Sequence, residues 1–87
     1  MTKDEALHLV EELRRRQNED LLLILEQEQR NETDREIELA KVSDTNERRR
    51  LEQMFGVERA RASERIMQIT AEHEAVLASH MRELKLL

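Results

Sequence analysis

Residues 66–87, IMQITAEHEAVLASHMRELKLL, contain the pattern that decides the fold. Seven side chains follow one another there in alternating steps of four and three: Ile66, Thr70, His73, Leu77, His80, Leu84 and Leu87. This spacing places them on one stripe of an α-helix, with the 3.5-residue period of a supercoiled seam. The segment therefore predicts a helix that buries its apolar stripe against another helix.

Similar spacing recurs towards the N-terminus, although apolar positions become sparse between residues 26 and 50. The predicted dimer seam consists of Leu7, Val10, Leu13, Leu21, Ile24, Ile37, Leu51, Phe55, Ile66, Ile69, His73, Leu77, His80 and Leu84. The step from Ala62 to Ile66 breaks the alternation, which predicts a stutter within residues 56–66. The seam is thus expected to be strong at its two ends and weak in its middle.

The composition of the 87-residue chain agrees with this pattern. The chain has no Pro, no Cys, one Gly and one aromatic residue, and 40% of its residues are charged. Such a bias is typical of coiled coils and long helices. A short chain with few aromatic side chains has too few large apolar residues for a globular core, so it is expected to bury surface between helices.

The charge and hydropathy exclude several functional classes. A net charge of −5 disfavours nucleic acid and anionic membrane surfaces as partners. The longest apolar run, residues 21–25, has five residues, far fewer than the roughly 18 of a transmembrane helix. We therefore expect no nucleic-acid partner, no membrane insertion and a cytoplasmic location. The absence of Cys is compatible with a reducing compartment.

The expected architecture is all-α, with one continuous coiled-coil helix over residues 1–87. Thr2 is a suitable N-cap with Glu5 three residues later, and Gly56 lies within uninterrupted helical spacing. Residues 43–46, Ser-Asp-Thr-Asn, form a weak point where Asp44 and Glu47 could make a capping box. The alternative is therefore a helical hairpin that turns near residue 44, although tight helix–helix turns usually contain Gly.

The distribution of charge favours an antiparallel homodimer. Residues 19–38 carry two basic and eight acidic side chains, a balance of 2 − 8 = −6, whereas residues 48–65 carry six basic and three acidic ones, a balance of 6 − 3 = +3. A parallel, in-register dimer would set the acidic segment against itself, and like charges repel. With the two chains centred on each other, residue i lies opposite residue 88 − i. A parallel dimer remains the alternative.

Few residues point to chemistry. His73 and His80 lie seven residues apart on the seam, and His8 would lie near His80 of a second chain, so a zinc site or a pH switch is conceivable. Polar seam residues that limit register are the commoner explanation. Neighbouring carboxylates such as Glu11 and Glu12 point in different directions, and nothing predicts a pocket around them. We expect no enzymatic activity, metal or cofactor.

With its charge-rich helix, its Leu, Ile and Met seams such as residues 66–87, and its stutter near Ala62, the chain resembles the rod segments of cytoskeletal and scaffold coiled-coil proteins. The resemblance covers the whole chain and implies a spacer, dimeriser or filament-building role. The expected partners are a second copy of the chain and other cytoskeletal or scaffold proteins. The alternative is a recognition helix that docks a small GTPase or an adaptor through residues 21–25 and 67–81.

Overall fold

A computed structural model describes residues 1–86 and contains two long helices. Helix α1 spans Lys3–Ala40 and helix α2 spans Thr45–Glu83. The described chain contains no strand. The two helices run antiparallel and pack along their length, giving an extended hairpin of 65 × 16 × 9 Å, measured on Cα atoms. The all-α prediction is confirmed.

The predicted single continuous helix is wrong, and the hairpin alternative is correct. Helix α1 ends at Ala40, where the backbone N–H groups of Lys41 and Val42 donate to the carbonyls of Glu38 and Leu39 at 3.1 and 3.2 Å. Asp44 then takes an extended conformation and caps α2. The turn contains neither Gly nor Pro, and no residue in it has a positive φ.

The physical reason is that folding back satisfies both seams within one chain. A continuous helix would leave its apolar stripe in water until a second chain arrived, whereas the short turn closes the contact intramolecularly at a small entropic cost. Ser, Asp, Thr and Asn are also poor residues for a helix interior and good ones for a cap. Together these effects outweigh the absence of Gly.

Both helix starts use the side chains that the sequence indicated. The Oγ1 atom of Thr2 accepts a hydrogen bond from the Glu5 backbone N–H at 3.2 Å, so the predicted N-cap is confirmed. The Oδ1 atom of Asp44 accepts from the backbone N–H of Asn46 at 3.1 Å, one residue earlier than a capping box would use. The helix continues through Gly56, where a Cβ would have no heavy atom within 4 Å.

The charge complementarity that favoured an antiparallel dimer is found between the two helices of one chain. Polar contacts link Gln17 with His73, Glu32 with Arg59, and Arg35 with Glu58. The residue numbers of these facing pairs sum to 90–93, close to the 88 expected between two chains. The homodimer itself stays a prediction.

Most predicted seam residues are at least half-buried in the hairpin, although few are fully covered. Val10 and Phe55 are buried, together with Ala6, which lies outside the predicted seam. Nine are half-buried: Leu13, Leu21, Ile24, Leu51, Ile66, Ile69, His73, Leu77 and Leu84. Leu7, Ile37 and His80 are exposed. Leu87, the last residue of the C-terminal heptad pattern, lies outside the described residues.

Candidate functional site

Five charged side chains form a cluster that joins the two helices, here called the ion-pair cluster: Glu28, Glu32, Arg35, Glu58 and Arg59. Arg35 lies at its centre and is only 7% exposed, the one charged residue that is buried in residues 1–86. Its Nη1 atom donates to Glu28 at 2.7 Å and to Glu32 at 3.1 Å, and its Nε atom donates to Glu58 at 3.1 Å.

Glu32 connects Arg35 to the second arginine of the cluster. Arg59 donates to both carboxylate oxygens of Glu32, with Nη2 at 2.6 Å from Oε1 and Nε at 2.8 Å from Oε2. Because both pairings are charge-assisted and the Arg59 pairing is bidentate, they fix the relative position of α1 and α2. The cluster therefore sets the register of the hairpin.

The electrostatics of the cluster follow from this geometry. The hydrogen bonds from Arg59 and then Arg35 hold the pKa of Glu32 at about 2, well below its ordinary 4.5, because they favour the charged carboxylate. The bonds to Glu28, Glu58 and Glu32 raise the pKa of Arg35, and the bond to Glu32 raises the pKa of Arg59. Glu32, Arg35 and Arg59 are therefore all charged near neutrality, which is the chemistry of a structural cluster.

The three histidines lie apart from this cluster. The backbone carbonyl of His73 accepts a hydrogen bond from the Gln17 side chain at 2.9 Å, so this residue contributes to the register of the hairpin. The Nδ1 atom of His80 lies 3.1 Å from the carbonyl of Val76, and His8 lies 3.6 Å from Glu12. No three His, Asp or Glu side chains of residues 1–86 are grouped as a metal site would require.

Many apolar side chains of the hairpin are exposed and have no role within it. Only Ala6, Val10 and Phe55 are buried apolar residues, whereas eleven large apolar side chains in residues 1–86 are exposed: Met1, Leu7, Leu9, Leu22, Leu23, Leu25, Ile37, Met54, Val57, Met67 and Val76. Leu22, Leu23 and Met67 are 55%, 64% and 66% exposed. A two-helix hairpin can cover only one stripe of each helix, so the remaining apolar side chains face solvent.

Grooves lie between the helices beside these exposed residues. One groove of about 380 Å³ near the open end of the hairpin is lined by Leu9, Leu13 and His80, among others. A second, of about 250 Å³, includes Leu23, Arg65 and Ile66. These shallow grooves suit an apolar side chain of a partner better than a substrate, which would need convergent catalytic groups.

No family model, curated protein or solved structure matches this chain. The residues described above are therefore the basis for any functional conclusion. No helix in residues 1–86 has a stretch both long and apolar enough to span a bilayer.

Sequence reasoning missed the ion-pair cluster, although a signal for it was present. After Ile24 the seam continues at Glu28, Asn31 and Arg35, which keep the alternation of four and three with polar residues. The charge balance of residues 19–38 includes Glu28 and Arg35 only as charges. A basic residue on the seam flanked by acids at spacings of three and seven indicates a buried, multiply paired arginine.

Proposed function

We propose that the chain is a non-enzymatic structural element that self-associates, most simply as a homodimer, through the apolar surface left exposed by the hairpin. The observation that carries this proposal is the accessible surface of 7071 Å². A compact protein of 10.4 kDa exposes about 5,400 Å². The hairpin thus exposes about 1,700 Å² more, and a standard interface needs about 800 Å² from each partner.

Part of this surplus follows from the elongated shape, and the exposed large aliphatic side chains make part of it apolar. Contiguous exposed apolar surface is uncommon in monomeric proteins and is typical of interaction sites. The resemblance to rod segments supports placing this element in a cytoskeletal or scaffold assembly of the cytoplasm.

Light scattering coupled to gel filtration, run from about 1 to 500 µM, tests the proposal. We expect the mass to rise towards twice the chain mass of 10.4 kDa as concentration increases, with a parallel gain in thermal stability because association stabilises the folded state by mass action. A chain that remains monomeric at the highest concentration would contradict self-association.

The second candidate is recognition of a different protein, such as a small GTPase or an adaptor. The run Leu22, Leu23 and Leu25 favours it, because these side chains lie on several faces of α1 and one flat interface does not cover them all. A monomer whose helix content rises on adding a partner would favour this alternative over the first.

A further inference from the structure

One side of the hairpin, here called the front face, is marked by three grooves between α1 and α2. From the open end towards the turn, the grooves are lined by Leu9 and Leu13, then by Leu23 and Arg65, then by Asp34 and Met54, together with other residues. The two grooves nearer the turn share Asn31 and are therefore continuous along the same side.

Apolar residues follow the front face on both helices. In α1, Leu9, Leu23 and Ile37 recur at intervals of 14 residues, or two heptads, and are 44%, 64% and 49% exposed. In α2, Met54 and Val76 are 50% and 44% exposed, and the half-buried Ile69 lies one turn after Arg65. The front face therefore has apolar side chains at intervals along each helix, and Arg16 and Arg30 occupy the heptad positions between those of α1.

We infer that the front face is the surface through which two copies of this hairpin associate, as a four-helix bundle with its twofold axis parallel to the helices. The inference rests on the proposed self-association and specifies its interface. In this arrangement both turns lie at the same end, and each α1 packs against its own α2 and the α2 of the second copy. All neighbouring helices are then antiparallel, as in an up-and-down bundle.

The register of the hairpin fixes which side chains meet in the bundle. Rotation about an axis along the helices keeps every residue at its own height. The residue numbers of facing positions in the two copies therefore also sum to about 90. Ile37 then lies level with Met54 of the second copy, and Leu23 lies level with the second copy's Met67, one half-turn from its Ile69. At these two heights apolar side chains of the two copies therefore come together.

The charges favour a second copy in this arrangement over an arbitrary partner. Packing α1 against the other copy's α2 places the acidic segment 19–38, with its balance of −6, beside the basic segment 48–65, with its balance of +3. Packing α1 against the other α1 would set the acidic segments together, and like charges across an interface are costly. The charge complementarity that joins α1 and α2 within one chain is repeated between copies only in the first arrangement.

The opposite side of the hairpin, here called the back face, provides a control. Leu25 follows Leu23 by two residues and Met67 follows Arg65 by two, and two residues correspond to about 200° around a helix. Both side chains therefore point away from the front face. They are 43% and 66% exposed, so Met67 matches Leu23 closely in exposure.

The first experiment compares Leu23→Glu with Met67→Glu in the full chain, using sedimentation to measure the dimer dissociation constant. Leu23→Glu buries a charge twice in the bundle, so we expect the constant to rise at least about a hundredfold. Met67→Glu should change it less than about threefold. Because both side chains are exposed in the hairpin, circular dichroism should show unchanged helix content for each variant.

The second experiment tests the register with a chain that has no native Cys. A chain carrying Ile37→Cys is mixed with one carrying Met54→Cys, so that a disulfide between positions 37 and 54 can form only between copies. We expect this cross-link under mild oxidation, and we expect none from a mixture of Leu25→Cys and Met67→Cys chains.

The outcomes are separable from those for the proposed function. A dimer that is broken by Met67→Glu and not by Leu23→Glu would overturn the front face as the interface while leaving self-association intact. A dimer without the cross-link between positions 37 and 54 would overturn the arrangement in the same way. A wild-type chain that is always monomeric would overturn both.

Discussion

Arg35 shows how one residue determines the geometry of the hairpin. Its guanidinium is buried among Glu28, Glu32 and Glu58, which come from both helices. A planar group with five donors can satisfy three carboxylates at once, which a lysine ammonium does less well. Because Nε and Nη1 are paired with carboxylates, the arginine is held without leaving a buried polar atom of its side chain unsatisfied.

Replacing this arginine should destabilise the hairpin. Arg35→Ala would leave three carboxylates close together without their common counter-charge, and breaking a buried pairing is more harmful than never having formed it. We expect the Tm to fall by several degrees and the loss to be reduced, not abolished, at high salt. The control is Arg15→Ala on the exposed surface; an equal effect of both changes would contradict the special role of Arg35.

Glu32 gives the hairpin a defined dependence on acid. Its pKa is about 2 in the folded chain and 4.5 ordinarily, so between these values the unfolded chain binds more protons than the folded one. The stabilisation from Glu32 is therefore complete above about pH 4.5 and is lost as the pH falls towards 2.

The corresponding measurement is the urea midpoint of wild type and Glu32→Gln at pH 7, 4.5, 3 and 2. We expect the variant to be less stable than wild type at pH 7 and the difference to shrink as the pH falls below 4.5. The exposed Glu19→Gln is the control. A difference that stays constant down to pH 2 would show that the charge of Glu32 is not responsible.

At the scale of the elements, the turn is held mainly by the cap of α2. Asp44 accepts from the backbone N–H of Asn46, and its own carbonyl accepts the first helical bond, from Arg48, at 2.9 Å. A negative side chain at this position also interacts favourably with the helix dipole.

Asp44→Ala should therefore lower the free energy of unfolding by about 1 kcal/mol, the usual cost of losing an N-cap. Asp44→Asn keeps the accepting oxygen and should recover most of the loss. Urea denaturation of the three chains at equal concentration gives both values. If Asp44→Asn were as unstable as Asp44→Ala, the cap bond would not be the cause.

At the scale of the whole molecule, the charge pattern and the seam act together to bring α1 and α2 side by side. The acidic half of α1 lies beside the basic half of α2, and the apolar seams coincide in the same register. Each exposed ion pair contributes little by itself. Their sum, together with the buried Arg35, selects the antiparallel register over its neighbours.

A distance measurement distinguishes this hairpin from a continuous helix. Spin labels on Asn18→Cys and Glu72→Cys should lie within about 25 Å of each other in the hairpin, because these positions face one another in its register. In a single helix, 54 residues at a rise of 1.5 Å would separate them by about 80 Å. Diluting the labelled chain with unlabelled chain removes contacts between copies, so a long distance under dilution would contradict the hairpin.

The sequence by itself determined the helical class and the N-cap at Thr2, and its charges predicted an antiparallel arrangement of helices. These follow from local periodicity, capping chemistry and summed charge, which can be read without coordinates. The tertiary structure decided that the partner of each seam lies in the same chain, that Arg35 is buried, and that a front face remains uncovered. Those outcomes depend on whether four residues without Gly can reverse the chain. Chain reversal there depends on the conformational cost of the turn and on the free energy gained when the helices pack, and the second quantity cannot be read from a local pattern.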